Sequence, residues 1–398
     1  MHTLFIWSIT MSIKYPLATA TWDSLEYQAM QDVITSGRFT MGPLVEQCEK
    51  DFSRYIGSRF SLMVNSGSSA NLLMVAALFY SKNEMLALKP GDEVIVPAVS
   101  WSTTYYPLYQ YGLKLKFVDI DLYTLNYDLD ALRSSISDRT RMIMAVNLLG
   151  NPNDFDQIDA LVKKHQLILI EDNCESLGAQ FKAKKAGTFG VMGSFSSFFS
   201  HHISTMEGGF IATDDEEIYH ILLSLRAHGW TRNLPKENHV CGLKSDDAFS
   251  ESFRFVLPGF NVRPLEMSGA IGIEQIKKLP SLIDARRHNG KLLQAKLAHH
   301  PDLIIQKEIG ESSWFGFSLV IKPGSKLTRE ALIKKLDQSG FEVRPIVAGN
   351  FTKNEVVRYF DYEVFGSLPN ANHIDKCGLF VGNHHYPIDD AIDALARL

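Results

Sequence analysis

The chain has 398 residues, a formal net charge of −5 and a pI near 6.2, and 45% of its residues are hydrophobic. That supports a large core and, at this length, two domains or one large domain with a smaller partner. No basic stripe or Lys/Arg-rich arm occurs, which excludes nucleic-acid and membrane-surface classes. The four cysteines, Cys48, Cys174, Cys241 and Cys377, are far apart with no CxxC spacing. This argues against a zinc site or an iron–sulfur cluster and fits a reducing cytoplasm.

The opening MHTLFIWSITMSIKYPLA has no basic n-region and too short an apolar run to cross a bilayer, so neither a signal peptide nor an anchor is expected. Met11 is as good a start as Met1, which would leave the first ten residues outside the native protein. Beyond it, short apolar runs alternate with helical patterns. Glu93–Val96 (EVIV), Leu115–Ile120 (LKFVDI), Met142–Val146 (MIMAV) and Leu167–Ile170 (LILI) read as strands, with a helix over Phe155–His165. The alternation predicts βαβ units and a mainly parallel sheet, an α/β fold whose chemistry lies at the carboxyl edge of the strands. After Pro258-Gly259 the texture changes. A long helical stretch broken near Pro280 precedes a strand over Trp314–Ile321, a helix over Arg329–Ser339 and a strand over Phe341–Val347. We expect a large domain over 11–260 and a smaller α+β domain over 261–398.

Five stretches carry chemistry. NSGSSANLL (Asn65–Leu73) places a Ser/Gly turn before an apolar helix, where free amides and the helix dipole suit a phosphate; an ordinary N-cap reads the same way. LILIEDNCES (Leu167–Ser176) ends a buried-type strand on Glu171 and Asp172, either to meet a positive charge or to cap a helix. VPAVSWSTTYYP (Val96–Pro107) sets Trp101 just past a strand, to stack on a flat ligand or to fill a core. SFSSFFSHHISTMEGG (Ser194–Gly209) holds two adjacent histidines, and no lysine occurs between Lys185 and Lys236. The fifth is PGFNVRPLEMSGAIG (Pro258–Gly272). Each is weak alone, but their order and spacing together are specific.

From about Tyr15 to the C-terminus the chain resembles the pyridoxal-phosphate sugar aminotransferases of the DegT/DnrJ/StrS type, which have the aspartate aminotransferase fold. SGSSA, P-x-x-S-W, ED at the strand end, GTFG at 187–190, EGG and G-x-N-x-R carry the resemblance. VPAVSWSTTYYPL, VNLLGNPNDF, SHHISTMEGG and LRAHGWTRNLPKEN are most similar to the branch that removes the C3 hydroxyl of GDP-4-keto-6-deoxy-D-mannose, in the colitose route of lipopolysaccharide O-antigen synthesis. The resemblance implies pyridoxal or pyridoxamine 5'-phosphate as cofactor, L-glutamate as the amine donor that restores it, and a cytoplasmic homodimer with shared active sites. It implies Asp172 opposite the pyridine nitrogen and Trp101 on the ring. Gly67, Ser68 and Ser196 fall on phosphate contacts, with Asn261 donated across the dimer. Glu175 falls where the family often has a ring-flanking Gln or His, and His228 lies near the substrate.

In the aminotransferases of this family the position of His201 is a lysine, which links covalently to the cofactor and shuttles the proton. An imidazole cannot make that link, yet with an ordinary pKa of about 6.5 it can move protons near neutral pH. The substitution implies 3-dehydration rather than return of the amine to the sugar, with His202 a structural neighbour. Two alternatives remain: a nucleotide-sugar 4-aminotransferase, and a non-catalytic nucleotide-sugar-binding protein on the same fold.

Overall fold

The computed structural model describes residues 13–398, so the expectation about the first ten residues lies outside the described part of the chain. In chain order the longer strands are β1 Phe60–Val64, β2 Glu93–Pro97, β3 Lys114–Val118, β4 Thr140–Val146, β5 Ile168–Asp172, β6 Met192–Ser196 and β7 Gly209–Thr213. They continue with β8 Leu303–Ile305, β9 Gly316–Ile321, β10 Val343–Arg344, β11 Tyr362–Val364 and β12 Gly378–Gly382. The large sheet has the order β1-β7-β6-β5-β4-β2-β3-β11. Only β7 runs against its neighbours there. The small sheet, β8-β9-β12-β10, is antiparallel throughout.

The large sheet is covered on both faces, which is why its strands read as unbroken apolar runs. Alternate residues point to opposite sides. Val94, Val96, Met142, Met144, Ile168 and Ile170 pack under helices Gly67–Leu78 and Glu216–Arg226. Ile95, Ile143, Ala145 and Leu169 face the other way, against Phe155, Ile158 and Leu161 of helix Phe155–His165. That helix occupies the expected residues; Asp154 caps its start, and Lys163, Lys164 and His165 fill its last turn, favourable to the helix dipole.

The mainly parallel α/β expectation therefore holds, while three local expectations do not. The helix broken near Pro280 is one continuous helix, Glu266–Leu297. Pro280 sits on its exposed side, and Ile276, Leu279, Leu282 and Ile283 pack on the other, so burial outweighs the lost hydrogen bond. The strand expected over Phe341–Val347 shrinks to Val343–Arg344, because Pro345 has no N–H for the ladder and Val347 turns to φ +45°. The strand expected from Trp314 begins at Gly316, Trp314 itself having φ +47°. The chain crosses between the sheets more than once: β11 pairs with the edge of the large sheet at β3, and Tyr15 bridges to Phe341 beside the small sheet.

Candidate active site

The carboxyl ends of β1, β2, β4, β5 and β6 lead into one cavity of about 340 Å³, closed on its far side by Phe315, Arg344 and Val347 from the small-sheet side. Asp172 is the last residue of β5 and 5% exposed. Its Oδ2 accepts from Asn71 Nδ2 and Thr104 Oγ1, both at 2.8 Å, and its Oδ1 accepts from the Cys174 amide at 3.1 Å. No helix follows, so Asp172 is not a cap. Its neighbour Glu171 points away from the cavity chemistry: fully buried, it accepts the amides of Gly187, Phe189 and Gly190 and holds the GTFG turn in place. Burial raises the Glu171 carboxyl, and those three amides oppose the shift.

Helix Gly67–Leu78 starts at the cavity. Ser66 caps it, its hydroxyl accepting the Ser69 amide at 3.0 Å, so the N-cap reading of this stretch is right. Gly67 and Ser68 line the cavity at the positive end of the helix, a place where an anionic group is favoured. The glycine is required by proximity: a Cβ on Gly67 would lie 2.8 Å from both Cys174 Sγ and Ser196 Cβ. Ser196, which ends β6, lines the same corner, and its hydroxyl accepts the Phe198 amide while keeping its own proton to donate. Trp101 stands at the mouth, 57% exposed, a large flat ring with much of its surface open to the cavity entrance.

His201 lines the cavity. Its Nδ1 is buried with no partner, leaving Nε2 as the ring nitrogen turned to the open space. Burial, aided by the Arg344 and Arg286 guanidiniums, lowers it to about 3, so the ordinary imidazole range expected from the sequence does not hold and the ring is neutral at physiological pH. His202 is fully buried, with Nε2 3.1 Å from the Ser313 carbonyl, as a structural neighbour should be. Glu175 also lines the cavity and accepts the Leu149 amide at 3.2 Å; burial raises it to about 7, against the pull of Arg344.

Seven of the nine expected residues, Gly67, Ser68, Trp101, Asp172, Glu175, Ser196 and His201, thus meet at one cavity. Asn261 and His228 do not line it. They form a separate group, in which Arg263 donates to Asn261 Oδ1 at 3.0 Å and reaches His228 Nε2 at 3.4 Å, with Trp230 against the His228 ring. Sequence reasoning missed Asn71, Thr104, Phe315 and Arg344. Asn71 and Thr104 lay inside stretches already singled out and could have been weighed as partners for a strand-end acid. Arg344 and Phe315 come from the small sheet and carried no local signal.

A pyridoxal phosphate fits these residues: a buried acid stands at the strand end, the Gly67–Ser68 helix start offers the phosphate end a positive dipole, and an uncovered indole flanks the space between. The model of the DegT/DnrJ/EryC1/StrS aminotransferase family matches residues 21–394. The chain belongs to that family and has its aminotransferase fold. It is 61% identical over 387 residues to the GDP-4-keto-6-deoxy-D-mannose 3-dehydratase of Escherichia coli O55:H7, covering 97% of this chain and 99% of that protein. A crystal structure of GDP-4-keto-6-deoxymannose-3-dehydratase with a trapped PLP-glutamate geminal diamine matches with a TM-score of 0.95 and 61% identity, over 96% of this chain and 99% of that one. A histidine-to-asparagine variant of such a dehydratase with bound GDP-perosamine matches with a TM-score of 0.94 and 61% identity, over the same shares.

Proposed function

We propose that this protein is a pyridoxamine-phosphate-dependent 3-dehydratase that converts GDP-4-keto-6-deoxy-D-mannose to GDP-4-keto-3,6-dideoxy-D-mannose and uses L-glutamate to restore its cofactor. One observation carries the reading: His201 stands in a cavity otherwise fitted to the cofactor, and none of the described residues lining that cavity is a lysine. The dehydratase relatives, one trapped with glutamate and one holding a GDP-sugar, support the substrate class.

When bound, the cofactor supplies an electron sink conjugated to C4 of the sugar. Asp172, braced by Asn71 and Thr104, keeps a proton on the ring nitrogen. Trp101 covers one ring face, while the start of helix Gly67–Leu78 and Ser196 take the phosphate. His201, neutral at rest, takes the proton from C4′ through Nε2; as imidazolium it returns a proton to the departing C3 hydroxyl, which leaves as water. Arg344 lines the cavity with its Nε lacking a protein partner, and it offers its charge to a glutamate carboxylate. The exposed Asn261 and its neighbour His228 serve the site of a second copy in a homodimer, Asn261 at the phosphate and His228 near the sugar. Light scattering that finds a monomer removes that assignment.

Borohydride reduction of the pyridoxal-phosphate-loaded protein tests the absence of a covalent link. We expect no cofactor on any lysine peptide by mass spectrometry. Product analysis with the keto sugar and glutamate should give the 3-deoxy ketone; a 4-amino sugar would restore the aminotransferase alternative.

A further inference from the structure

We propose that Phe198 and Phe315 are positioning residues that hold the His201 imidazole by ring packing, in place of the acceptor that usually orients a catalytic histidine. The inference rests on the reading of His201 as the proton carrier. Histidines that move protons commonly donate one ring N–H to a carboxylate or carbonyl, which sets both ring rotation and tautomer. His201 has no such partner: its Nδ1 is buried and unbonded. Two aromatic rings take the place of that partner. The Phe315 ring lies 5.0 Å from the imidazole at 52°, and the Phe198 ring lies 6.0 Å away, edge-on at 78°. Both are within the range of favourable aromatic pairs.

The two rings are themselves tied down. Phe315 is 5% exposed. Its amide donates to the Leu149 carbonyl at 3.1 Å, across to the large sheet. Its carbonyl accepts from Arg286 at 3.0 Å. The preceding Trp314, at φ +47°, is held by Asn383, which donates to its carbonyl at 2.8 Å. Phe198 is tied to the histidine's own turn, its carbonyl accepting the His201 amide at 2.9 Å. The base is therefore seated jointly by its own turn and by the lead-in to β9, and neither contact is a hydrogen bond to the ring. A lysine at this position would reach the cofactor on a flexible stem; an imidazole two bonds from the backbone needs its plane set from outside.

The test is nitrogen NMR of ring-labelled histidine in the full-length protein without added cofactor, with His201→Asn used to assign the signal. The groups facing this seat are Arg344, Arg286 and His202, with Asp172, Glu175 and Glu207 across the cavity; all are kept in both variants, but Arg344 and His202 also pack on the Phe315 ring, so Phe198→Leu is the cleaner of the two. Wild type should show one His201 tautomer and no titration from pH 8 to pH 5. In each leucine variant the tautomers should mix and the ring should begin to titrate within the pH 8 to pH 5 window, as water reaches it. In the loaded enzyme kcat should fall about tenfold, with KM for sugar and glutamate within about twofold. Unchanged titration and tautomer in folded Phe198→Leu and Phe315→Leu proteins would overturn the proposal. If Phe315→Leu does not fold, Phe198→Leu decides, since Phe198 is 42% exposed. Dehydration that survives His201→Asn would remove the proton role and leave the NMR result to judge the seat.

Discussion

The two walls of the cavity are built on opposite principles. On the large-sheet side polar groups are paired: Asp172 accepts three hydrogen bonds, Asn71 is held by Ser194 at 2.6 Å, and Glu171 accepts three amides. On the opposite side, where the turn between β6 and β7 meets the approach to the small sheet, buried polar atoms lack protein partners: His201 Nδ1 and Arg344 Nε at the cavity, with Arg286 Nε, Ser313 Oγ and Trp314 Nε1 behind them. A satisfied network is rigid and holds a group in one place. A wall with unspent donors and acceptors is one whose electrostatics a ligand can complete. Under the proposed function, holding falls to the first wall and proton and carboxylate handling to the second.

The sharpest break comes from removing the proposed proton carrier. His201→Asn should lower dehydration by about 10²–10⁴-fold, read as 3-deoxy ketone formed per minute, with cofactor binding retained. His201→Lys should also lose dehydration, and any 4-amino sugar it forms would show that the side chain at this one position decides the outcome. Asp172→Asn removes the charge from the paired wall. It should cost about 3 kcal/mol, roughly 10²-fold in kcat, without changing the far-UV circular dichroism. Near-normal turnover would take Asp172 out of that role.

Thr104→Val keeps the shape and deletes one brace on Asp172. A loss of about 1–2 kcal/mol, near tenfold in kcat, is expected if pairing sets the geometry of that wall. Arg344→Met should raise KM for glutamate by about tenfold or more, with a smaller effect on KM for the sugar.

The smallest effect is on stability against pH. His201 is lowered from 6.5 to about 3, so below pH 6.5 the unfolded chain binds a proton that the folded chain refuses, and stability falls as pH drops. Glu175 is raised from 4.5 to about 7, so the folded chain holds the extra proton, and stability falls as pH rises through that window. The two oppose each other between pH 4.5 and 6.5. Glu175→Gln removes one of them, and its thermal midpoint should drop more steeply than wild type from pH 6.5 to 5. An unchanged slope would mean that Glu175 is not held protonated.

The sequence by itself determined the local features: the apolar runs that became β2 to β5, the helix over Phe155–His165, an acid at the end of β5, a Ser/Gly turn before an apolar helix, and a pair of adjacent histidines in a stretch without lysine. Each rests on neighbours within a few residues, where alternation, capping and turn chemistry act. Only the tertiary structure decided the rest. Asn71 and Thr104 brace Asp172 from 101 and 68 positions away, and Arg344 and Phe315 arrive from a different sheet. Burial took His201 far from its ordinary pKa, and packing carried the long helix through Pro280. The reason is common to all four. Desolvation and contact energies sum over segments distant in the chain, so no window of residues contains them.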